Sequence, residues 1–481
     1  MCSLLAAALL VSFSIRTAKA QSPLVGVSDP GVRPGPQPAN GAGNPIAGLP
    51  PDQSRFWVDG LILFGDTVSV RGTISGEPLL GLGPAFNGNS CFLCHSQPAI
   101  GGSSPTPNPQ RAIANLDGAT NQIPTFLTPN APVLEVRFVR NPDGTPDGGV
   151  HDLFTITGRS DAPAGCALKQ PDFATQIQNG NVAFRIPIPT FGEGFVENVS
   201  EDALKSNLAA FGTAKSALGI KGRFNTNGND GTTTRFGWKA QNKSMLMFSG
   251  EASNVEMGIT NELFNNERTN GGCATNFTPE DNTHVIIPTG GNAGDDASQI
   301  SSLIENFTIF MRLNAPAQPC DFFTSQTNCQ PLGASALRGQ ALFGTVVPST
   351  SGTAPNTGIG CVLCHTDSLR TAKSNLSPLS GVDFHPFSDF ALHHMGPGLA
   401  DGISQGQAGG DEFRTAPLWG VGQRIFFLHN GSTSDIVAAI ELHAGNCSPG
   451  QVCSEATQVI NTFNGLQPQQ QQDIVNFLRS L

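Results

Sequence analysis

The sequence has no tyrosine among its 481 residues, so no phenolate is available as a metal ligand. Charge is scarce as well. Asp, Glu, Lys and Arg make up 13% of the chain, and their balance of −11 at pH 7 repels nucleic acid and anionic lipid. Long apolar runs are missing: the stretch from Leu4 to Ile15 falls short of the roughly 20 residues that a membrane-spanning helix needs. The small residues Ala18 and Ala20 follow it as in a secretory signal peptide, although no basic segment precedes it. Cleavage after Ala20 would remove Cys2, Arg16 and Lys19, taking the net charge from −11 to −13 and the protein to the periplasm or another secreted location.

Glycine (56) and proline (36) are abundant, together about a fifth of the chain, yet below the share that marks a disordered polypeptide. A folded, loop-rich protein is expected, long enough for two or three domains with separate cores. Residues 21–51 combine Pro and Gly with almost no apolar periodicity and read as a flexible leader.

Eleven cysteines are present, and four fall in two copies of one pattern. "CFLCH" holds Cys91, Cys94 and His95; "CVLCH" holds Cys361, Cys364 and His365. Covalent haem attachment needs two thiols to add across the vinyl groups of one porphyrin and a histidine beside the second thiol to reach the iron, which Cys-x-x-Cys-His supplies in one short run. A structural zinc site would need a fourth ligand per motif, and no paired Cys/His cluster stands nearby. A thioredoxin-like dithiol would need a βαβ context, which the pattern lacks. Two covalently bound c-type haems are therefore expected, with His95 and His365 as proximal iron ligands. Setting Cys2 aside, six cysteines remain, an even number suited to an oxidising compartment. Cys320 with Cys329 and Cys447 with Cys453 would close short loops, leaving Cys166 to meet Cys273, one connectivity among the many that six cysteines allow.

Phe56, Gly60 and Phe64 recur at four-residue spacing, and Gly339 and Phe343 repeat the interval, each set upstream of a Cys-x-x-Cys-His. "ISSLIENFTIFMRLNAP" and "QQQQDIVNFLRSL" read as amphipathic helices with Phe307 and Phe477 in like positions. Opening helix, haem motif and closing helix form the skeleton of a cytochrome c domain. A mainly α fold of two cytochrome c-like domains with long loops follows: residues 52–316 with a large insertion, a linker over 317–331, and residues 332–481. Within the insertion, "APVLEVRFVRNPDGTPDGGVHDLFTITGR" sets two β-branched runs about a Gly/Asp-rich turn and predicts a β-hairpin.

Longer segments carry a resemblance. "GLGPAFNGNSCFLCHSQPAIGG", "FTITGRSDAPAGC", "RIPIPTFGEGFVENV", "RFGWKAQNKS" with "EMGIT", and "DFALHHMGPGLADG" with "DEFRTAPLWGVGQRIFFLHNG" resemble the periplasmic di-haem oxidoreductase family, whose members are labelled peroxidase or thiol oxidoreductase. The similarity covers about residues 55–481, and its last segment is also similar to bacterial di-haem cytochrome c peroxidases. The resemblance implies an enzyme that reduces hydrogen peroxide at the first haem, with electrons reaching the second from a small cytochrome c or cupredoxin. A non-catalytic di-haem electron-transfer cytochrome and a thiol or protein side-chain oxidase are the alternatives. Related quinone-maturing enzymes place a tyrosine on one iron, an arrangement closed to this chain.

A haem catalyses only where its distal position opens, so the sixth ligands matter. Met395, on a Gly/Pro loop between the second motif and the closing helix, is the candidate for the second iron, with His429, His393 and His394 as rivals and simple packing over the porphyrin as the plain alternative. Met257 is the candidate for the first iron, with Met245 and Met247 as rivals. Peroxide cleavage also needs a group that carries a proton between the oxygens. The resemblance directs attention to Glu197 in "GEGFVENV" and Glu256 beside Met257 as catalytic carboxyls. Arg235, Arg414 and Lys239 are candidate partners of the haem propionates, because buried carboxylates demand cations.

Overall fold

The computed structural model describes residues 26–33, 41–269, 271–273, 280, 302–317, 333–346, 355–446 and 453–481. The expected signal segment, His284, and Cys320, Cys329 and Cys447 lie outside them. Helices dominate what is described, thirteen α-helices against five two-stranded sheets. None of those helices is long and apolar enough to cross a membrane.

Two crossed helix pairs frame the molecule, each built on the repeated Gly and Phe positions. The opening helix Pro51–Gly65 starts on a proline, whose fixed φ suits the first turn, and buries Trp57, Gly60, Leu63 and Phe64 against the closing helix Leu303–Leu313. A Cβ on Gly60 would lie 2.5 Å from the Asn306 carbonyl oxygen, so only glycine admits this crossing. Phe64 then meets Phe310 at 4.7 Å and Phe307 at 6.1 Å between ring centroids. In the second pair, Ala334–Phe343 crosses Pro468–Ser480: a Cβ on Gly339 would lie 1.9 Å from the Asp473 carbonyl, and Phe343 meets Phe477 at 5.3 Å. Both closing helices begin with a capping box, Ser302 with Glu305 and Gln467 with Gln470, which satisfies amide hydrogens the first turn would leave unpaired. Each phenylalanine also reaches toward its motif histidine, Phe64 to His95 at 6.1 Å and Phe343 to His365 at 6.3 Å.

Two expectations are corrected. The run Glu135–Phe138 finds its ladder partner in Val182–Arg185, not in the run after the turn, and Phe154–Thr155 pairs with Ala85–Phe86 instead. The return past the turn meets the first run through isolated bridges, Arg137 with Val150 and Arg140 with Pro146, and through single bonds such as Gly148 amide to Phe138 carbonyl at 2.8 Å; Pro142 and Pro146 have no amide hydrogen to donate to a regular ladder. Nor is the described part of the leader free. Asp29 pairs with Arg479 at 2.6 Å and accepts from the Ile436 amide at 2.8 Å, while the Ile46 amide donates to the Leu313 carbonyl at 2.8 Å.

The larger hydrophobic core joins Phe64, Phe86, Phe154 and Phe310 to Phe384, Phe390 and Trp419, which follow the second motif. Two separate clefts open in this frame, one at each motif, and Trp238 lines both.

Candidate functional site

The clefts and the solvent at their mouths take up about 1290 and 1460 Å³ of non-protein space. In each, the motif forms a single short turn in which the histidine amide donates to the carbonyl of the first cysteine, His95 to Cys91 at 3.0 Å and His365 to Cys361 at 2.9 Å. That turn puts both thiols and the imidazole on the cleft wall. The imidazoles are anchored alike: His95 Nδ1 donates to the Gly102 carbonyl at 2.9 Å and His365 Nδ1 to the Phe387 carbonyl at 2.9 Å. Such a bond fixes the tautomer and leaves the Nε2 lone pair for a metal. Burial pushes both rings down to about 4, which keeps them in the neutral form that ligation requires.

The four motif cysteines carry free sulfurs. Burial pushes the Cys91 and Cys361 thiols up to about 12, with the Glu256 charge adding to it at Cys91 and that of Cys364 at Cys361. A redox dithiol has its thiol pKa lowered by its surroundings, which does not suit these sulfurs. Among the described residues, no group of three or more His, Cys, Asp or Glu gathers as a metal cage. A porphyrin suits them better. The second cleft is walled by apolar side chains such as Phe343, Val459, Ile460 and Leu478, and two buried guanidiniums face it, neither in an ion pair. Arg414 leaves Nε and Nη2 without hydrogen-bond partners, with Glu193 as the charge that acts on it, and burial alone pushes Arg424 down to about 10. Buried guanidiniums with donors left over are what a pair of propionates would satisfy. Lys239, by contrast, is already spent on Asp401 at 3.1 Å and on the Gly409 and Glu412 carbonyls, and Arg235 donates to the Val196 and Val199 carbonyls with only Nε unpaired.

The first cleft is richer in carboxyls. Glu135, Glu193, Glu251 and Glu256 line it, with Arg137 and Arg185. Asn87 and Gly88, just before the motif, donate their amides to the Glu256 carbonyl at 2.8 and 3.2 Å, which draws the end of the helix Met245–Met257 to the attachment thiols. The Glu256 carboxyl accepts from Asn87 Nδ2 at 2.9 Å and shares a hydrogen bond with Glu135. Burial, then the Glu135 charge, drive Glu256 well above the usual carboxyl range. Burial also opposes ionisation of Glu135, but Arg137 and Arg185 outweigh it and hold Glu135 below that range. The two neighbouring carboxyls are thus pushed in opposite directions, Glu256 toward its protonated form and Glu135 toward its ionised one.

Glu256, Met257 and Met245 line the first cleft together with His95, Cys91 and Cys94. Met395 and His429 line the second with His365. Met247 is 40% exposed and lines neither cleft, and His394 points outward to Asp411. His393 lines the second cleft but has both ring nitrogens engaged, Nδ1 with Glu455 at 2.8 Å and Nε2 with Asp389 at 3.1 Å. Glu197 also lines neither cleft; it pairs with Arg312 and accepts from the Met245 amide at 2.9 Å. One turn earlier on that short helix, Glu193 does enter the first cleft, 4% exposed, with Oε2 lacking a hydrogen-bond partner and burial pushing it up to about 7. His443, in the second cleft, was not singled out by its sequence surroundings either. Cys166 and Cys273 come together as a pair, Cα atoms 4.9 Å apart.

Crossed helices and two clefts, each with a backbone-anchored imidazole beside two thiols, make a mainly helical protein with two candidate sites built alike. The chain belongs to the family described as "di-haem oxidoreductase, putative peroxidase", whose sequence profile matches residues 135–481. That match begins after Cys91–His95, so the first motif rests on its own geometry, while the wall of its cleft from Glu135 onward falls within the match. No curated protein and no solved structure matches the chain.

Proposed function

We propose that this protein is a periplasmic or secreted di-haem c-type oxidoreductase that reduces hydrogen peroxide to water with electrons from a small cytochrome c or cupredoxin. Cys91 and Cys94 would hold the first haem by thioether bonds, with His95 on the iron; Cys361, Cys364 and His365 would hold the second. Bound there, haem supplies the redox centre at which the peroxide bond is cleaved. Each turnover takes two electrons and two protons, breaks the oxygen–oxygen bond and releases two waters.

The difference between the clefts carries this reading. The first has one histidine, His95, and a pair of neighbouring carboxyls pushed in opposite directions. The second has four histidines, and its one carboxyl, Glu455, is tied to His393. Proton chemistry thus belongs in the first cleft and electron entry in the second. Ionised Glu135 is placed to take a proton from peroxide, and protonated Glu256 to give one to the leaving oxygen. Glu193 stands ready to replenish the pair. Met257, at the rim of the same helix, would offer the first iron a thioether, a weak ligand that substrate can displace. Two cytochrome c-like domains meeting at residues 317–331, and cross-links joining Cys166 to Cys273, Cys320 to Cys329 and Cys447 to Cys453, complete the picture.

The test is the full-length protein from a host competent in c-type haem attachment. Pyridine haemochrome absorbance should give two haems per chain. The ferric electron paramagnetic resonance signal of the first haem should change on addition of peroxide, with turnover when a reduced cytochrome is supplied. Two low-spin signals indifferent to peroxide would instead make the protein an electron relay, and oxidation of a thiol without peroxide turnover would make it a thiol oxidase.

A further inference from the structure

We propose that His443 is the second axial ligand of the iron held by His365, so that the second haem carries two imidazoles and Met395 packs beside it unbonded. The inference rests on the reading of the second cleft as a c-type haem site, and deepens it.

Four observations point to His443. Its side chain lines the second cleft. Nδ1 donates to the Ala439 carbonyl at 2.7 Å, the same main-chain anchor that His95 and His365 use, and the bond leaves Nε2 as a free donor of its lone pair. It lies close enough to His365 to act on that ring electrostatically, alongside Asp389 and His393. Its place in the chain also matches the first unit: His443 ends the helix Ile436–Leu442 as Met257 ends the helix Met245–Met257, each ahead of the closing helix of its pair.

The rivals are otherwise engaged. His393 is held at both nitrogens by carboxylates. His394 is 54% exposed and lies against Asp411. The His429 ring stacks on Phe413, centroids 4.2 Å apart, with no hydrogen bond to aim either nitrogen, and the charges that act on it are Asp401, Arg185 and Lys239, not His365. Met395 is bound through its amide to the Asp411 carbonyl at 2.9 Å and packs against the larger core, which suits a side chain that fills space.

Ferric electron paramagnetic resonance and the thioether-to-iron charge-transfer band read the ligand directly, independently of turnover. Full-length wild type, His443→Ala, His443→Met and Met395→Ala are compared, each with its haem count. At two haems per chain, His443→Ala should convert one low-spin haem to a high-spin or imidazole-binding form, His443→Met should gain a thioether band, and Met395→Ala should match wild type. Unchanged spectra in both His443 variants, or loss of a thioether band in Met395→Ala, would overturn the assignment while leaving two haems in place. A wild type with fewer than two haems would instead fail the underlying reading and take this inference with it.

Discussion

Glu256 and Glu135 lie side by side in the first cleft, and opposite surroundings drive their ionisation apart. Burial and the Glu135 charge raise Glu256 well above the usual carboxyl range, while Arg137 and Arg185 hold Glu135 below it. A pair split in this way offers an acid and a base at one place, which two equivalent carboxyls could not.

Glu256→Gln keeps the hydrogen-bonding shape and removes the transferable proton. Peroxide reduction should fall by about 10²- to 10⁴-fold, the usual worth of a positioned acid or base, with haem content unchanged. Stopped-flow decay of reduced haem after peroxide addition measures it. Glu197→Gln, which alters a carboxylate paired with Arg312, should leave the rate near wild type.

Haem attachment divides cleanly between the motifs. Replacing Cys91 and Cys94 together by serine should halve the haem count by pyridine haemochrome and abolish peroxide turnover, leaving the second haem's spectrum intact. Replacing Cys361 and Cys364 should also halve it.

The Gly339 crossing has no spare room. Gly339→Ala places a methyl where the Asp473 carbonyl already lies at 1.9 Å, so the helices must separate. A loss of about 1–3 kcal/mol in denaturant unfolding is expected, typical of an overpacked contact. Gly465→Ala, with nothing within 4 Å of its new methyl, should show none of that loss.

Glu455 sets an acid limit. Burial opposes its ionisation, but the His393 hydrogen bond and charge outweigh it and hold the carboxyl down at about 2. A carboxylate depressed by folding contributes stability that is complete above its unfolded value near 4.3 and fades as pH falls toward about 2. Glu455→Gln should therefore lower the melting temperature at neutral pH, with the gap to wild type closing toward pH 2. Thermal unfolding followed by circular dichroism across that range measures it.

The helix crossings were legible in the sequence because they rest on local spacing: Gly60 with Phe64 and Gly339 with Phe343 each present one helix face. The motif turns were legible for the same reason. Glu256 and Met257 were found through their short shared motif. Glu193 was not, because the one turn that separates it from Glu197 decides only by tertiary contact which of them meets Arg312 and which enters the cleft. His443 was hidden for a related reason, since its value lies in an anchor to Ala439 and in nearness to a residue far off in the chain. The strand partner of Glu135–Phe138 was misread because a run able to pair says nothing of which run it will choose.

The Asp29–Arg479 pair spans 450 positions. During synthesis Asp29 waits, unmatched, until the 450 positions that separate it from Arg479 have emerged. The second unit is accordingly sealed by a stretch lying ahead of the first. Any shortened version that keeps residues 332–481 alone discards this clasp, and should open more readily at its final helix than the parent does.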